Sequence, residues 1–304
     1  MTLGGPGDSR PSKNERRDQA REKAKQLRVS QKRKDRRRRV FLQGGIGLGA
    51  VAVVVIVAFV IMGSIRPAGP GPLNMASDGI LVGEAMTAVQ TDALQPEQDP
   101  VASDPDASGT VANIRIYVDY LCPACGEFEA TNGEQIRTWV ETGAATIEVH
   151  PIAILTSRSA GTQYSLRAAN AAACVADTAP DGFYAFHEAL FADQPEENST
   201  GLSDDELKAL VASSGVQTDV GAIGACIDDG TFSPWVKSAT DRALAGPIPN
   251  SDLAAVSGTP TVLVDGKQYV GSLSDPSEFS AFVLQAVGES YSTSTPTSEP
   301  APAG

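Results

Sequence analysis

The sequence predicts an α/β fold with a helical insertion, preceded by a single N-terminal transmembrane helix. Residues 40–65 form an apolar run without a charged side chain, and roughly 20 such residues suffice to cross a bilayer as a helix. Further along the chain, a strand–helix–strand pattern is followed by a long helical stretch, then by a strand pair and a last helix. The expected order in the folded domain is therefore β-α-β, helical insertion, β-hairpin and α.

Charge is distributed very unevenly over the 304 residues. Residues 1–39 carry 15 Lys or Arg and 5 Asp or Glu, a net charge of +10, whereas the remainder carries 9 and 32, a net charge of −23. A basic segment before an apolar helix keeps the N-terminus in the cytoplasm. We therefore expect a basic cytoplasmic tail at 1–39, a transmembrane helix at 40–65 and an extracytoplasmic remainder, in a single-pass protein of the cell membrane.

Two alternatives to this interpretation of the N-terminus are less favoured. A cleaved signal peptide also joins a basic start to an apolar run, but the basic region is unusually long and no good small-x-small cleavage site follows. Basic tails can bind nucleic acid, yet a topology signal that touches anionic lipid headgroups explains the same residues. Membrane lipid is therefore an expected partner, and nucleic acid is not.

Composition separates one domain from its flanks. Residues 66–110 are rich in Pro, Gly, Ala, Ser and Asp, which predicts an extracytoplasmic linker. Within this linker only residues 79–86 are expected to pack, as a short strand or turn at the edge of the domain. The low-complexity residues 289–304 are predicted to be a disordered tail, so residues 111–288 remain as one domain of ordinary size.

The β-α-β unit is predicted from residues 111–155. Apolar and β-branched residues dominate 111–120, which favours a strand. Pro123 stands at an early position of the helix predicted over 123–143, and a second strand is predicted over 144–155. The crossover that joins the two strands should be right-handed.

A helical insertion is predicted next, at about 157–250. Its helices are predicted over 159–177, 181–192, 203–215, 219–229 and 232–245. Residues 259–271 then hold two short apolar runs joined by Asp265–Gly266, a strong signal for a hairpin turn. Residues 274–288 have apolar side chains at helical spacing and are predicted to form the last helix.

The four cysteines all follow the predicted membrane span, where an oxidising compartment permits disulfides. Cys122 and Cys125 form a C-x-x-C pair between the first strand and the first helix. By itself this spacing fits a redox pair, half of a zinc site or a structural bridge. Because helix N-termini stabilise thiolates, the redox interpretation makes Cys122 the exposed nucleophile and Cys125 the residue that resolves the mixed disulfide.

A zinc site is the weaker interpretation. His150 and His187 are the only histidines, and they could complete a Cys2His2 set with the C-x-x-C pair, but neither has a partner at short ligand spacing. An oxidised pair outside the cell would not bind zinc, so neither a metal nor another cofactor is expected. His187 is expected at a helix surface or an interface.

Three segments together resemble the DsbA-like branch of the thioredoxin superfamily, in its membrane-anchored actinobacterial form. They are YVDYLCPACGEFE, FYAFHEALFADQPEE and GTPTVLVDGKQYVG. The resemblance implies a thioredoxin-like fold and a protein thiol:disulfide oxidoreductase. It also implies exported proteins that contain cysteine as substrates, and a membrane redox partner that resets the pair. The protein is expected to be a monomer.

The resemblance also implies how a substrate is held. It implies a cis peptide bond before Pro260, with the backbone of Thr259 pairing with an extended substrate peptide beside Cys122. Pro123 and Ala124 are expected to contact the substrate as well. A trans proline that opens a strand is the alternative for Pro260.

Asp119, Cys174 and Cys226 are also expected to have catalytic or structural roles. Asp119 matches an acidic position of the branch, where it could relay the proton of Cys125; a strand-end carboxylate that faces water is the alternative. Cys174 and Cys226 are expected to form a structural disulfide that pins the insertion, and a second redox pair is the alternative.

The chain departs from the family pattern at positions that affect the direction of electron transfer. Strongly oxidising members have a histidine between the two cysteines, and the best-known oxidases have Val-Pro where this chain has Thr259–Pro260; between its cysteines this chain has Pro123–Ala124. Formation of disulfides in exported proteins is expected nonetheless. A disulfide reductase or isomerase is one alternative, and a non-catalytic thioredoxin-like module that binds peptides is another.

Overall fold

The computed structural model describes residues 69–96, 98–103 and 110–294, together with helical parts of 21–34. The chain divides into two units, Met1–Arg66 and Pro67–Gly304. The predicted transmembrane helix at 40–65 and most of the predicted basic tail lie outside the described residues. Among the helices that are described, none has the length and apolar character needed to span a bilayer.

The second unit is built on a six-stranded sheet. The strands are β1 (Ile80–Gly83), β2 (Thr87–Ala88), β3 (Ala112–Val118), β4 (Ala145–Pro151), β5 (Thr261–Val264) and β6 (Lys267–Gln268). Their order across the sheet is β2-β1-β4-β3-β5-β6. Strands β3 and β4 are parallel, and the other neighbouring pairs are antiparallel. The strands of the predicted β-α-β unit and of the predicted hairpin are therefore neighbours in the sheet.

The predicted β-α-β unit consists of β3, helix α1 (Pro123–Glu141) and β4. Ile114 and Ile116 of β3 are buried in the main core, on the same face of the sheet because side chains alternate along a strand. Pro123 occupies the first turn of α1, where its missing N–H is not needed. The start of α1 is thereby fixed close to the carboxyl end of β3.

The predicted insertion is helical. Its helices are α2 (Tyr164–Thr178), α3 (Phe183–Ala192), α4 (Asp204–Ser213), α5 (Val220–Asp229) and α6 (Ser233–Ala245). Helix α4 begins with a capping box, in which the side chains of Ser203 and Glu206 each accept from the other's backbone N–H. Helix α2 is buried along most of its length, so the insertion shares one core with the sheet.

Strands β5 and β6 form the predicted hairpin around Asp265–Gly266. Both turn residues have positive φ, 48° and 79°, as a type I′ turn requires. The last helix, α7 (Pro276–Ser294), packs Phe279 edge-on against Phe128 of α1, with ring centroids 5.2 Å apart. Since α7 runs to Ser294, the predicted tail at 289–304 begins as helix, and residues 295–304 lie outside the described residues.

The prediction of a linker at 66–110 is wrong for much of its length. Strand β1 pairs antiparallel with β4, and β2 continues the sheet at that edge. Met75, Ile80 and Val82 are buried in the main core. The expectation that 79–86 packs at the edge is correct, but the folded domain extends well to the N-terminal side of residue 111.

Polar side chains attach this N-terminal segment to the sheet. The buried carboxylate of Glu148 on β4 accepts from the hydroxyls of Ser77 and Ser103 and from Nε of Arg115, the first and last at 2.6 Å. Burial alone would raise the pKa of Glu148, but the charges of His150 and Arg115 hold it well below its usual range. The serine-rich composition that predicted a linker thus supplies hydrogen-bond donors to a buried carboxylate.

Candidate active site

Cys122 and Cys125 lie where β3 leads into α1. Cys122 is the N-cap residue, with an extended backbone (φ −77°, ψ 116°), and Cys125 lies in the first turn of the helix. Cys122 is 8% exposed, whereas Cys125 is fully buried, and both thiols are free. Because Cys122 alone of the two has any exposed area, it is the cysteine that a reaction partner can approach.

The two thiols differ strongly in acidity. Hydrogen bonding from the Cys125 thiol lowers the pKa of Cys122 to about 6, against the opposing effect of burial. Backbone N–H groups of Cys125 and Ala124 act in the same direction, as expected at a helix N-terminus. Burial raises the pKa of Cys125 well above its ordinary value, and the neighbouring Cys122 charge raises it further. At neutral pH the pair is therefore one thiolate and one buried thiol.

The loop before β5 faces the sulfur of Cys122. The Thr259–Pro260 peptide bond is cis, and the carbonyl oxygen of Thr259 lies 3.2 Å from Sγ of Cys122. At the start of α1, Pro123 is exposed and Ala124 is partly exposed. The residues that were predicted to contact a substrate therefore lie around one accessible sulfur.

Asp119 lies just past the end of β3 and is fully buried. Its carboxylate accepts from the backbone N–H groups of Leu121 (2.9 Å) and Leu155 (2.8 Å) and from the hydroxyl of Ser165 (2.7 Å). Burial raises its pKa, although these hydrogen bonds oppose the shift. The alternative of a carboxylate facing water is wrong, because Asp119 ties the segment before Cys122 to the insertion.

A buried polar chain beside the site was not predicted. His187 of α3 is fully buried and not at a helix surface; its Nδ1 lies 3.1 Å from the hydroxyl of Tyr120, and its Nε2 lies 3.1 Å from Oε1 of Glu129 on α1. A signal for this burial exists in the sequence, since His187 shares the apolar face of α3 with Phe183 and Leu190 at helical spacing. The chain connects the insertion to the active-site helix.

Gln194, just past the end of α3, is a second residue that sequence reasoning missed. Its Nε2 donates to the backbone carbonyl oxygens of Cys122 at 2.9 Å and of Tyr120 at 3.2 Å. Gln194 lies within FYAFHEALFADQPEE, one of the segments that carry the resemblance. Nothing in that segment indicates a contact with Cys122 or Tyr120, which are 72 and 74 residues away in the sequence. Only the fold brings it to the active site.

The remaining histidine, His150, lies elsewhere in the sheet. Its ring stacks on that of Tyr117, with centroids 4.4 Å apart, and its Nε2 lies 3.4 Å from Glu148. The contacts of His150 and His187 are thus to groups other than the cysteines. Over the part of the chain that the structure describes, no three His, Cys, Asp or Glu side chains are grouped so that they could hold a metal ion.

The other two cysteines are bonded to each other. Cys174 and Cys226 form a disulfide between α2 and α5, with their Cα atoms 5.9 Å apart and a sequence separation of 52 residues. Cys174 is fully buried. Closing a loop of this length stabilises a fold by about 4 kcal/mol in the chain-entropy account. Its place between insertion helices supports a structural role.

An accessible low-pKa cysteine at a helix N-terminus, a buried partner cysteine and a facing cis-proline loop together define a thiol–disulfide oxidoreductase. The family model described as thioredoxin matches residues 96–284. The chain therefore belongs to this thioredoxin family, and it is a DsbA-like member with a thioredoxin-like α/β fold.

Solved structures support this assignment. DsbA from Mycobacterium tuberculosis is 32% identical in its oxidised form and 30% identical in its reduced form; both have a TM-score of 0.51 and are covered completely, over 71% and 72% of this chain. The disulfide bond oxidoreductase DsbG from the same organism is 30% identical with a TM-score of 0.51, and the alignment covers 72% of this chain and 95% of that one.

A curated relative has a different overall organisation. The serine/threonine-protein kinase PknE of Mycobacterium tuberculosis is 33% identical over 169 residues, which are 54% of this chain and 28% of the kinase. The chain thus spans little more than a quarter of that relative. PknE is named as a kinase, and the similarity to this chain is confined to one segment of PknE.

Proposed function

We propose that this protein forms disulfide bonds in exported proteins, through the Cys122–Cys125 pair of an extracytoplasmic domain that is tethered to the membrane. The observation that carries the proposal is the contrast between the two thiols. Cys122 is accessible with a pKa of about 6, and Cys125 is buried with a raised pKa. This contrast supports Cys122 as the nucleophile and leaving group and Cys125 as the resolving thiol.

The reaction begins with the pair oxidised. A substrate thiolate attacks Sγ of Cys122, a mixed disulfide forms, and the bond between Cys122 and Cys125 breaks. Cys125 leaves as a thiolate and takes up a proton, because its buried thiolate is unstable. Asp119 remains a candidate to relay this proton, although its carboxylate already accepts three hydrogen bonds.

A second substrate thiolate then attacks the substrate sulfur of the mixed disulfide. The substrate disulfide forms, Cys122 departs as a thiolate, and two electrons have passed from the substrate to the pair. A thiol of low pKa is a good leaving group, so the stabilised Cys122 thiolate favours this release. The same stabilisation of the reduced form makes the pair oxidising.

Substrate would bind as an extended peptide along the loop that contains Thr259 and Pro260. The carbonyl of Thr259 is 3.2 Å from the Cys122 sulfur, so a peptide pairing with this backbone would carry its own cysteine to that sulfur. Pro123 and Ala124 would form the adjacent contact. Backbone pairing of this kind selects for an unfolded segment and not for one sequence.

The membrane tether is proposed from the basic residues 1–39 and the apolar residues 40–65. The disulfide between Cys174 and Cys226 also fits an oxidising compartment. A membrane redox partner would then withdraw electrons from the reduced pair. A reporter fused after residue 70 should be active only outside the cytoplasm, and activity inside would contradict this topology.

A disulfide reductase or isomerase is the second candidate. Pro123–Ala124 and Thr259 depart from the strongly oxidising members, and a cysteine pKa of about 6 lies between the values of about 7 for thioredoxin and about 3.5 for DsbA. An oxidising pair weaker than that of the strongest oxidases is the outcome that best fits these features.

Mixed-disulfide trapping tests the proposal. In Cys125→Ser the Cys122 thiolate can still attack a disulfide of an exported protein and expel one of its thiolates, and no Cys125 thiol is left to release the mixed disulfide. Such mixed disulfides should therefore accumulate in Cys125→Ser, and Cys122→Ser should accumulate none. Detection is by non-reducing electrophoresis and mass spectrometry of the trapped partners. If Cys122→Ser instead retains the full biological role of the protein, a non-catalytic peptide-binding module replaces this proposal.

A further inference from the structure

One side chain from the insertion holds the backbone around the accessible cysteine. Nε2 of Gln194 donates to the carbonyl oxygens of Cys122 at 2.9 Å and of Tyr120 at 3.2 Å. The Cys122 carbonyl also receives the first helical N–H groups, from Cys125 at 3.0 Å and from Gly126 at 3.2 Å. Gln194 therefore hydrogen-bonds to the same Cys122 carbonyl that accepts the first backbone hydrogen bonds of α1.

Gly126 makes room for this side chain. A Cβ added at Gly126 would lie 2.1 Å from Oε1 of Gln194 and 3.0 Å from its Cδ. Gly126 lies within α1, where alanine stabilises a helix by about 1 kcal/mol relative to glycine. The close approach of Gln194 is a physical reason for glycine at this position, independent of the two hydrogen bonds.

We propose that Gln194 is a positioning residue: seated against Gly126, it orients the first turn of α1 toward the Cys122 sulfur and so makes the pair more oxidising. The backbone N–H groups of Cys125 and Ala124 stabilise the thiolate, and such stabilisation depends on their orientation. The inference rests on the proposed redox role of Cys122. Gln194 itself makes and breaks no bond in the reaction.

The test uses four variants of the full-length protein: Gln194→Ala, Gly126→Ala, the double variant and Gln135→Ala. Two quantities are measured for each, the pKa of Cys122 from the pH dependence of its alkylation, and the equilibrium with glutathione. In that equilibrium two glutathione thiols pass two electrons to the Cys122–Cys125 disulfide and become glutathione disulfide. Gln194→Ala should raise the pKa and reduce the equilibrium constant for oxidation of glutathione roughly fivefold.

The double variant separates positioning from general damage. Gly126→Ala should reproduce the effect of Gln194→Ala, because its new Cβ displaces the same amide, and it should still fold since alanine favours the helix. In the Gln194→Ala background, Gly126→Ala should then change neither the pKa nor the glutathione equilibrium further. Two effects that add, or a Gln194→Ala variant identical to the wild type in both measurements, would overturn the proposal.

Gln135 supplies the matched control on the same helix. Its Nε2 donates to Oδ1 of Asn132 at 2.7 Å and to the carbonyl of Pro276 at 3.2 Å, so Gln135→Ala also removes a side-chain amide, but away from the cysteines. Both measurements should stay at wild-type values. Failure of the proposed function is visible separately, since wild-type Cys122 would then titrate near its ordinary value of about 8.5.

Discussion

Cys122 and Cys125 are chemically identical, and the fold makes them different. Cys122 lies at the N-cap of α1 and keeps a small exposed area, and Cys125 is enclosed in the core one turn further on. A helix start stabilises the thiolate, whereas burial penalises the charge on the inner sulfur. The proposed division of roles between nucleophile and resolving thiol rests on these two positions.

The first prediction concerns the acidity of Cys122. In the reduced protein, the rate of alkylation by iodoacetamide should rise with pH about a midpoint near 6, because only the thiolate reacts. Peptide mapping should place the label on Cys122. In Cys125→Ala the midpoint should move up, since the thiol of Cys125 is the largest stabilising group. A wild-type midpoint near about 8.5 would contradict the assignment.

At the scale of elements, the sequence predicts those whose signals are local. Pro123 marks the start of α1, Asp265–Gly266 marks the β5–β6 turn, and apolar spacing marks the helices of the insertion. Strands β1 and β2 are short; β1 pairs with β4, β2 pairs with β1, and Ser77 and Ser103 of the same segment donate to Glu148, so the segment is held by contacts with residues distant in the sequence. The N-terminal part of the domain therefore looked like a linker.

The residues of the candidate site also fall into those that the sequence indicates and those that only the fold reveals. Cys122 and Cys125 are recognisable from their spacing, and the Thr259–Pro260 loop from its resemblance to a family. Gln194 and the partners of His187 could not be found, because each depends on where α3 crosses α1. A side chain that contacts the site from a distant element has no local sequence pattern, so its role is visible only in the tertiary structure.

The second prediction tests how the N-terminal segment is attached. Glu148→Gln should reduce the free energy of unfolding by about 3 kcal/mol, because Arg115 is left nearly buried without its carboxylate. Urea denaturation at neutral pH measures this. The control is Glu197→Gln, which removes a more exposed ion pair with Arg158 and should cost less than about 1 kcal/mol.

The difference in unfolding free energy between the wild type and Glu148→Gln should change with pH in a definite direction. The pKa of Glu148 is held well below its usual range in the folded state, so its contribution is fully present above the unfolded value of about 4.3. The contribution is lost as the pH falls through the lower folded value. The difference between wild type and Glu148→Gln should therefore shrink below about pH 4; a difference that grows as the pH falls below about 4 would contradict the assignment.

At the scale of the whole molecule, the insertion and the sheet contribute to one site. Helix α3 supplies His187, and the segment after it supplies Gln194, while α2 supplies Ser165 to the buried Asp119. The Cys174–Cys226 disulfide joins α2 to α5 within this insertion. The active site is therefore supported by a part of the chain that a disulfide cross-links.

The third prediction separates a structural disulfide from a second redox pair. Replacing both Cys174 and Cys226 by serine should reduce the free energy of unfolding by about 4 kcal/mol, measured by urea denaturation. The pKa of Cys122 should stay at about 6 in the folded fraction. A double variant with unchanged stability that no longer exchanges electrons with Cys122–Cys125 would assign a relay function instead.

The equilibrium of the Cys122–Cys125 pair with glutathione tests the central claim most directly. The full-length protein is equilibrated over a range of glutathione ratios, its thiols are blocked with an alkylating reagent, and the oxidised and reduced forms are counted by mass. We predict a reduction potential between about −270 mV, the value of thioredoxin, and about −120 mV, the value of DsbA. A potential at or below about −270 mV would contradict disulfide formation and make the protein a reductase.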